Sequence, residues 1–105
     1  MTAKDFLLQL PAKVKPDTLE GLETVFHFDI AGDGGGQVTL HVKDGQCIAE
    51  EGLNGEAKCV VRAKEANLMN VMKGKINPLM AVLTGKLKIS NQGEMLKYAK
   101  IFGLM

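Results

Sequence analysis

Apolar and polar residues alternate with a period of two between Glu23 and Lys64, and on either side the period lengthens to that of a helix. Near the start, Phe6, Leu7 and Leu10 make one apolar stripe. Thr2 and Asp5 are spaced as a capping box, and Pro11 is placed to stop that helix. The segment AKVKPDTLEGL reads as a connector holding one helical turn, opened near Pro16 and closed at Gly21. Phe26, Phe28 and Ile30 then alternate with Val25, His27 and Asp29, the pattern of a half-buried strand. A flexible run, GDGGG, leads to a second strand with Val38, Leu40 and Val42 on one face. Asp44-Gly45 is a tight-turn pair into a third strand, Cys47 to Glu50, and Lys58 to Lys64 form a fourth.

The helical period then returns. Leu68, Val71 and Met72 fall at i, i+3 and i+4, with Met69 beside them and Gly74 capping the end. Asn77-Pro78 opens a short helix as N-cap and first-turn proline, and Gly85 ends it. KLKIS alternates once more, Leu87 and Ile89 inward against Lys86, Lys88 and Ser90. Asn91 caps a last helix whose Met95, Tyr98, Ala99 and Phe102 form one stripe before Gly103. This order predicts an α+β fold: a five-stranded, mostly antiparallel sheet with helices covering one face.

A chain of 105 residues suits one domain, residues 1–105, around one core. Hydrophobic residues at 46% and charged residues at 24% give a globular balance, which sets disorder aside. Formal net charge is +1 with no extended basic run, so no nucleic-acid groove is expected. The longest apolar run, Pro78 to Leu83, falls far short of the ~20 residues that span a bilayer. An early acid and the lack of a small-residue cleavage site argue against a signal peptide and for a cytoplasmic protein.

Candidate chemistry is sparse. Cys47, Cys59, His27 and His41 fall in strand-like segments at spacings that match no zinc pattern, so no metal or cofactor is expected. AGDGGGQ joins two strands and opens no helix, and Gln37 stands where a dinucleotide fingerprint needs glycine. Both Gly-Lys pairs fail as phosphate loops. Met69 and Met80 replace the first glycine, and Ile76 and Leu87 replace the Ser or Thr. No acid pair sits where a pocket would tune one carboxylate against the other, so the chain is read as not an enzyme.

The methionines change the picture. Six occur, and Met69, Met72, Met80 and Met95 all lie on helices of the C-terminal half. Methionine is flexible and polarizable, so a wall built from it adapts to variable shapes. The helix at Pro78 is apolar nearly all round, with Leu79, Met80, Val82 and Leu83, and such a helix needs cover from protein or from something else. The stretch CVVRAKEANLMNVMKGKINPLMAVLTGKLKISNQGEML resembles the core signature of the sterol carrier protein domain family, the nonspecific lipid-transfer proteins. FDIAGDGGGQVTLHVKDGQC is similar to that family's first two strands and their Lys-Asp-Gly turn.

That resemblance implies an apolar tunnel between sheet and helices. It also implies binding and transfer, without chemistry, of fatty acids, acyl-coenzyme A esters, phospholipids and sometimes sterols. The candidate lining residues are Phe26, Phe28, Met69, Met72, Met80, Leu83, Met95 and Phe102. Thr84 stands where family members often carry glutamine, and Val82 and Leu83 stand where aromatic residues are common. The implied partners are a lipid ligand and a transient membrane contact, with the chain a monomer or weak homodimer. The last helix, with few anchors beyond its stripe, is expected to act as a lid. Set against the carrier is an interaction or dimerisation module with an exposed apolar face.

Overall fold

The computed structural model describes residues 2–102, apart from the side chain of Ala99. The expected stop at Gly103 and the place of Ala99 in the last stripe therefore lie outside the described residues. Helix α1 (Ala3–Lys13) opens with the expected capping box between Thr2 and Asp5 and buries Ala3, Leu7 and Leu10. Pro11 does not stop it. A proline costs one backbone hydrogen bond, here that of the Leu7 carbonyl, and near a C-terminus such carbonyls are short of partners in any case. The helix runs on to Lys13, where the Val14 amide donates to the Pro11 carbonyl. A single 3-10 turn, Pro16–Leu19, then leads to the sheet.

The five strands are β1 (Thr24–Ala31), β2 (Gly36–Lys43), β3 (Gln46–Glu51), β4 (Cys59–Lys64) and β5 (Leu87–Ile89), in the order β3-β2-β1-β4-β5. Three neighbouring pairs are antiparallel and the central pair, β1 with β4, is parallel, so the sheet is mixed. On the covered face Phe26 lies opposite Leu40 and Cys59, and Phe28 lies opposite Val38 and Val61. All six are at most 1% exposed, which makes this row the centre of the core. The other face is wet and polar, with Arg62 opposite Asp29 and His41 3.1 Å from Glu50.

The glycine run between β1 and β2 is steric in origin. Gly34 has φ of +84°, and a Cβ on Gly35 would sit 2.3 Å from the Ile30 carbonyl oxygen, so neither position accepts a side chain without strain. This confirms a hairpin connection and leaves the glycines without a phosphate to explain.

Helices α2 (Glu65–Met72), α3 (Pro78–Leu83) and α4 (Gln92–Ala99) complete the layer over the sheet. α1 packs on β2 and β3, α2 and α4 on β4, and α3 on β5. Both Gly-Lys pairs are helix stops. At Gly74 the amides of residues 74 and 75 return to the carbonyls of Val71 and Asn70; at Gly85 those of residues 85 and 86 return to Val82 and Ala81. That is the Schellman arrangement, and φ of +76° at each glycine is what it requires. Among the described residues, no helix is long and apolar enough to cross a membrane.

Candidate functional site

A cleft of about 210 Å³ opens between the covered face of the sheet and the last two helices. Phe28 of β1 and Val61 of β4 form its floor, Leu68 and Val71 of α2 one wall, and Leu87 and Ile89 of β5 the base beside them. α3 contributes Pro78, Leu79, Val82 and Leu83; α4 contributes Gln92, Met95 and Leu96. Each follows from the local pattern: strand residues of one parity face the helices, and the i, i+3, i+4 positions of each helix face back. Every lining residue except Gln92 is apolar. Leu79, Leu83 and Leu96 are more than half exposed and stand at its rim.

Of the eight candidate lining residues, the structure brings Phe28, Leu83 and Met95 to this cleft. Phe26 lies beneath α4, its ring centroid 5.6 Å from that of Tyr98 and 5.4 Å from that of Phe102 in edge-to-face contacts. Met72 and Phe102 border a separate groove with Phe6 and Lys13. Met69 is half-buried against the core, and Met80 is 54% exposed on α3, outside the cleft. The residues that sequence reasoning passed over are mostly branched aliphatics, Val61, Val71, Val82 and Leu87 among them. Their signal was present in the alternation and the stripes, but it is the signal of any core. Gln92 was also passed over. Thr84, at the family's glutamine position, donates its hydroxyl to the Met80 carbonyl at 2.8 Å, so that group is engaged by its own helix.

The cysteines and histidines lie on four different strands, Cys47 on β3, Cys59 on β4, His27 on β1 and His41 on β2. Burial pushes the Cys47 thiol up from 9.0 to about 11. Burial also pushes Cys59 up, against a bond to the Asn91 carbonyl and with Glu94 reinforcing the rise. Thiols held protonated at neutral pH are poor nucleophiles and poor metal ligands. His27 faces the Asn54 carbonyl at 2.9 Å on the wet side of the sheet. No three His, Cys, Asp or Glu side chains converge to hold a metal among the described residues.

The family model described as the SCP-2 sterol transfer family matches residues 4–105. The chain belongs to that family. SCP-2 proteins bind and transfer lipids. Sterol carrier protein 2 of Gallus gallus is 38% identical over an alignment of 77 residues that covers 70% of this chain and 14% of that protein. The same fold is found in the stereoselective inverting sec-alkylsulfatase Pisa1 from Pseudomonas sp., with a TM-score of 0.78 and 21% identity, over 100% of this chain and 16% of that one. It is found again in palmitated SCP2L2 from Aedes aegypti, with a TM-score of 0.72 and 17% identity, over 97% of this chain and 95% of that one. At such identities the two structures establish the SCP-2 fold of this chain.

Proposed function

We propose that the chain is a non-catalytic carrier that takes up fatty acids, acyl-coenzyme A esters or phospholipids by an acyl chain, with the cleft under α3 and α4 as its seat. The observation that carries this reading is the lining itself: twelve apolar side chains and one amide, converging from six elements. The volume favours a single acyl chain over a sterol. At about 210 Å³ the cleft is smaller than the ~300–1,000 Å³ typical of sites that enclose a drug-sized ligand. A flexible chain threads such a space and lets its remainder lie along the leucines at the rim, whereas a fused ring system does not. The Gln92 amide, the one polar group on the lining, is suited to donate to a carboxylate or ester at the mouth.

Affinity comes from burying methylenes, about 0.8 kcal/mol each relative to water. A bilayer offers the same chain a similar gain, so the exchange between them is nearly balanced, as a carrier that must release its cargo requires. The palmitated relative supports the same class of ligand. The protein acts as a monomer or weak homodimer.

Organic extraction of the purified protein followed by mass spectrometry should yield long-chain lipid. Titration with a fluorescent fatty acid should show saturable binding that weakens in Val82→Phe. Val82 is half-buried on the lining, so the larger ring enters the cleft; displacing about two methylenes costs roughly tenfold in affinity. An empty dimer that ignores the fatty acid would favour the interaction module. Unchanged affinity in a folded Val82→Phe protein would move the site elsewhere.

A further inference from the structure

The rim of the cleft, with Met80 beside it on α3, is also the most exposed apolar surface among the described residues. Leu83 is 78% exposed, Leu79 and Met80 are 54% exposed, and Leu96 on the same rim is 51% exposed. α3 keeps only Ala81 buried. The segment of chain that carries this rim is one-sided in charge. From Ala66 to Gly93 the sequence has four lysines and no acid. Residues 66–105 hold six lysines against one acid, Glu94, while residues 1–65 hold seven basic and eleven acidic side chains. The small net charge therefore hides a cationic C-terminal part. Glu94 is partly buried and its carboxylate accepts a hydrogen bond from the Thr24 hydroxyl. Lys75 and Lys86 stand just beyond the two ends of α3, both exposed. A six-residue helix is about 9 Å long, so the two lysines bracket the leucines at short range along the chain.

We infer that α3 and the adjoining rim of α4 form a docking surface for an anionic lipid bilayer. Leu79, Met80 and Leu83 enter the headgroup layer, and Lys75 and Lys86 meet the lipid phosphates. Apolar anchors flanked by lysines combine the two attractions that hold a protein at such an interface, burial of apolar surface and the negative surface potential. A second copy is the poorer occupant. A two-fold contact through this face would set lysines against lysines, and like charges across an interface disfavour pairing. Docked this way, the mouth of the cleft meets the bilayer, and an acyl chain passes between them without crossing water. That last step rests on the carrier reading; the docking itself does not.

The chain has no tryptophan, so Met80→Trp provides a single fluorescent reporter on the surface, and Leu53→Trp, at a position 38% exposed in the loop after β3, provides one away from it. Each protein is mixed with phosphatidylcholine vesicles and with vesicles of equal parts phosphatidylcholine and phosphatidylglycerol. The Met80→Trp emission should shift to the blue and be quenched by brominated acyl chains in the anionic vesicles only, with Leu53→Trp unmoved. Lys75→Glu with Lys86→Glu should weaken vesicle binding by more than about tenfold and leave fluorescent fatty-acid binding in solution as it was. Circular dichroism confirms that each variant is folded. Equal shifts at positions 80 and 53, indifference to the double charge reversal, or a shift that grows with protein concentration without vesicles would each overturn the docking. Loss of fatty-acid binding with docking intact would instead overturn the carrier reading.

Discussion

Tyr98 is 0% exposed, and its hydroxyl has no hydrogen-bond partner among the described residues. Burial, helped by the Glu94 carboxylate, pushes the phenol up, while the Glu23 backbone pulls the other way without meeting the geometry of a hydrogen bond. A buried donor without a partner carries its full desolvation cost, and removing both atoms of the problem is neutral or better. Tyr98→Phe keeps the ring contacts to Phe26 and Phe102 and should therefore raise stability by up to about 1 kcal/mol, read as an unchanged or higher Tm. A fall in Tm would mean that the hydroxyl has a partner after all, a bound water being the first to look for. At this scale the site was only partly legible in the sequence. Phe26 and Phe28 share one face of one strand and look alike as letters, yet Tyr98 and Phe102 close over the first while the second faces the cleft. Methionine was a poor guide for the same reason. Its flexibility makes it good wall material, but Met69, Met72 and Met80 were placed by neighbours that no local pattern names.

Between elements, anchoring is unequal, and it bears on the expected lid. α4 is held by Met95 and Tyr98, with Phe102 just beyond its end, and by three aromatic contacts, each contributing about 0.5–1.5 kcal/mol beyond simple burial. α3 is held by Ala81, its Asn77 cap and its short packing on β5. α3 is therefore expected to open first, widening a cleft too small to enclose a long chain. Hydrogen exchange should show the amides of Ala81 and Thr84 exchanging well before those of Met95 and Phe102, with protection in α3 rising when oleate is added. Earlier exchange in α4 would restore the last helix as the lid. The helix ends were readable because each depends on two or three letters: Thr2 with Asp5, Asn77 with Pro78, and the two Gly-Lys stops. The run past Pro11 was not readable, since whether one lost hydrogen bond ends a helix depends on what the next turn packs against. Nor was the parallel pairing of β1 with β4, which is fixed by the sheet and not by either strand.

The whole molecule shows what an average over the chain conceals, in charge and again in pH response. Net charge argued against a nucleic-acid groove, while its division between residues 1–65 and 66–105 leaves the C-terminal part cationic. The pH response follows from three acids, Cys47, Cys59 and Tyr98, which the fold holds in their neutral forms. For a group whose folded pKa is raised, the unfolded chain gives up its proton first as pH rises. Above that point the unfolded state binds fewer protons than the folded one, so stability must fall. For Cys47 the window opens near 9 and closes near 11, and Cys59 and Tyr98 deepen the loss in the same direction. Cys47 keeps some solvent exposure, so its share is on the order of 1 kcal/mol, several degrees of Tm for a chain of this length. Tm should hold between pH 7 and 8.5 and decline from pH 9 to 11, in thermal unfolding followed by circular dichroism under reducing conditions. Cys47→Ala should make that decline shallower without removing it. A Tm that is flat or rising over that range, or a slope unaltered by Cys47→Ala, would show that the thiol is as free to ionise in the folded protein as in the unfolded chain.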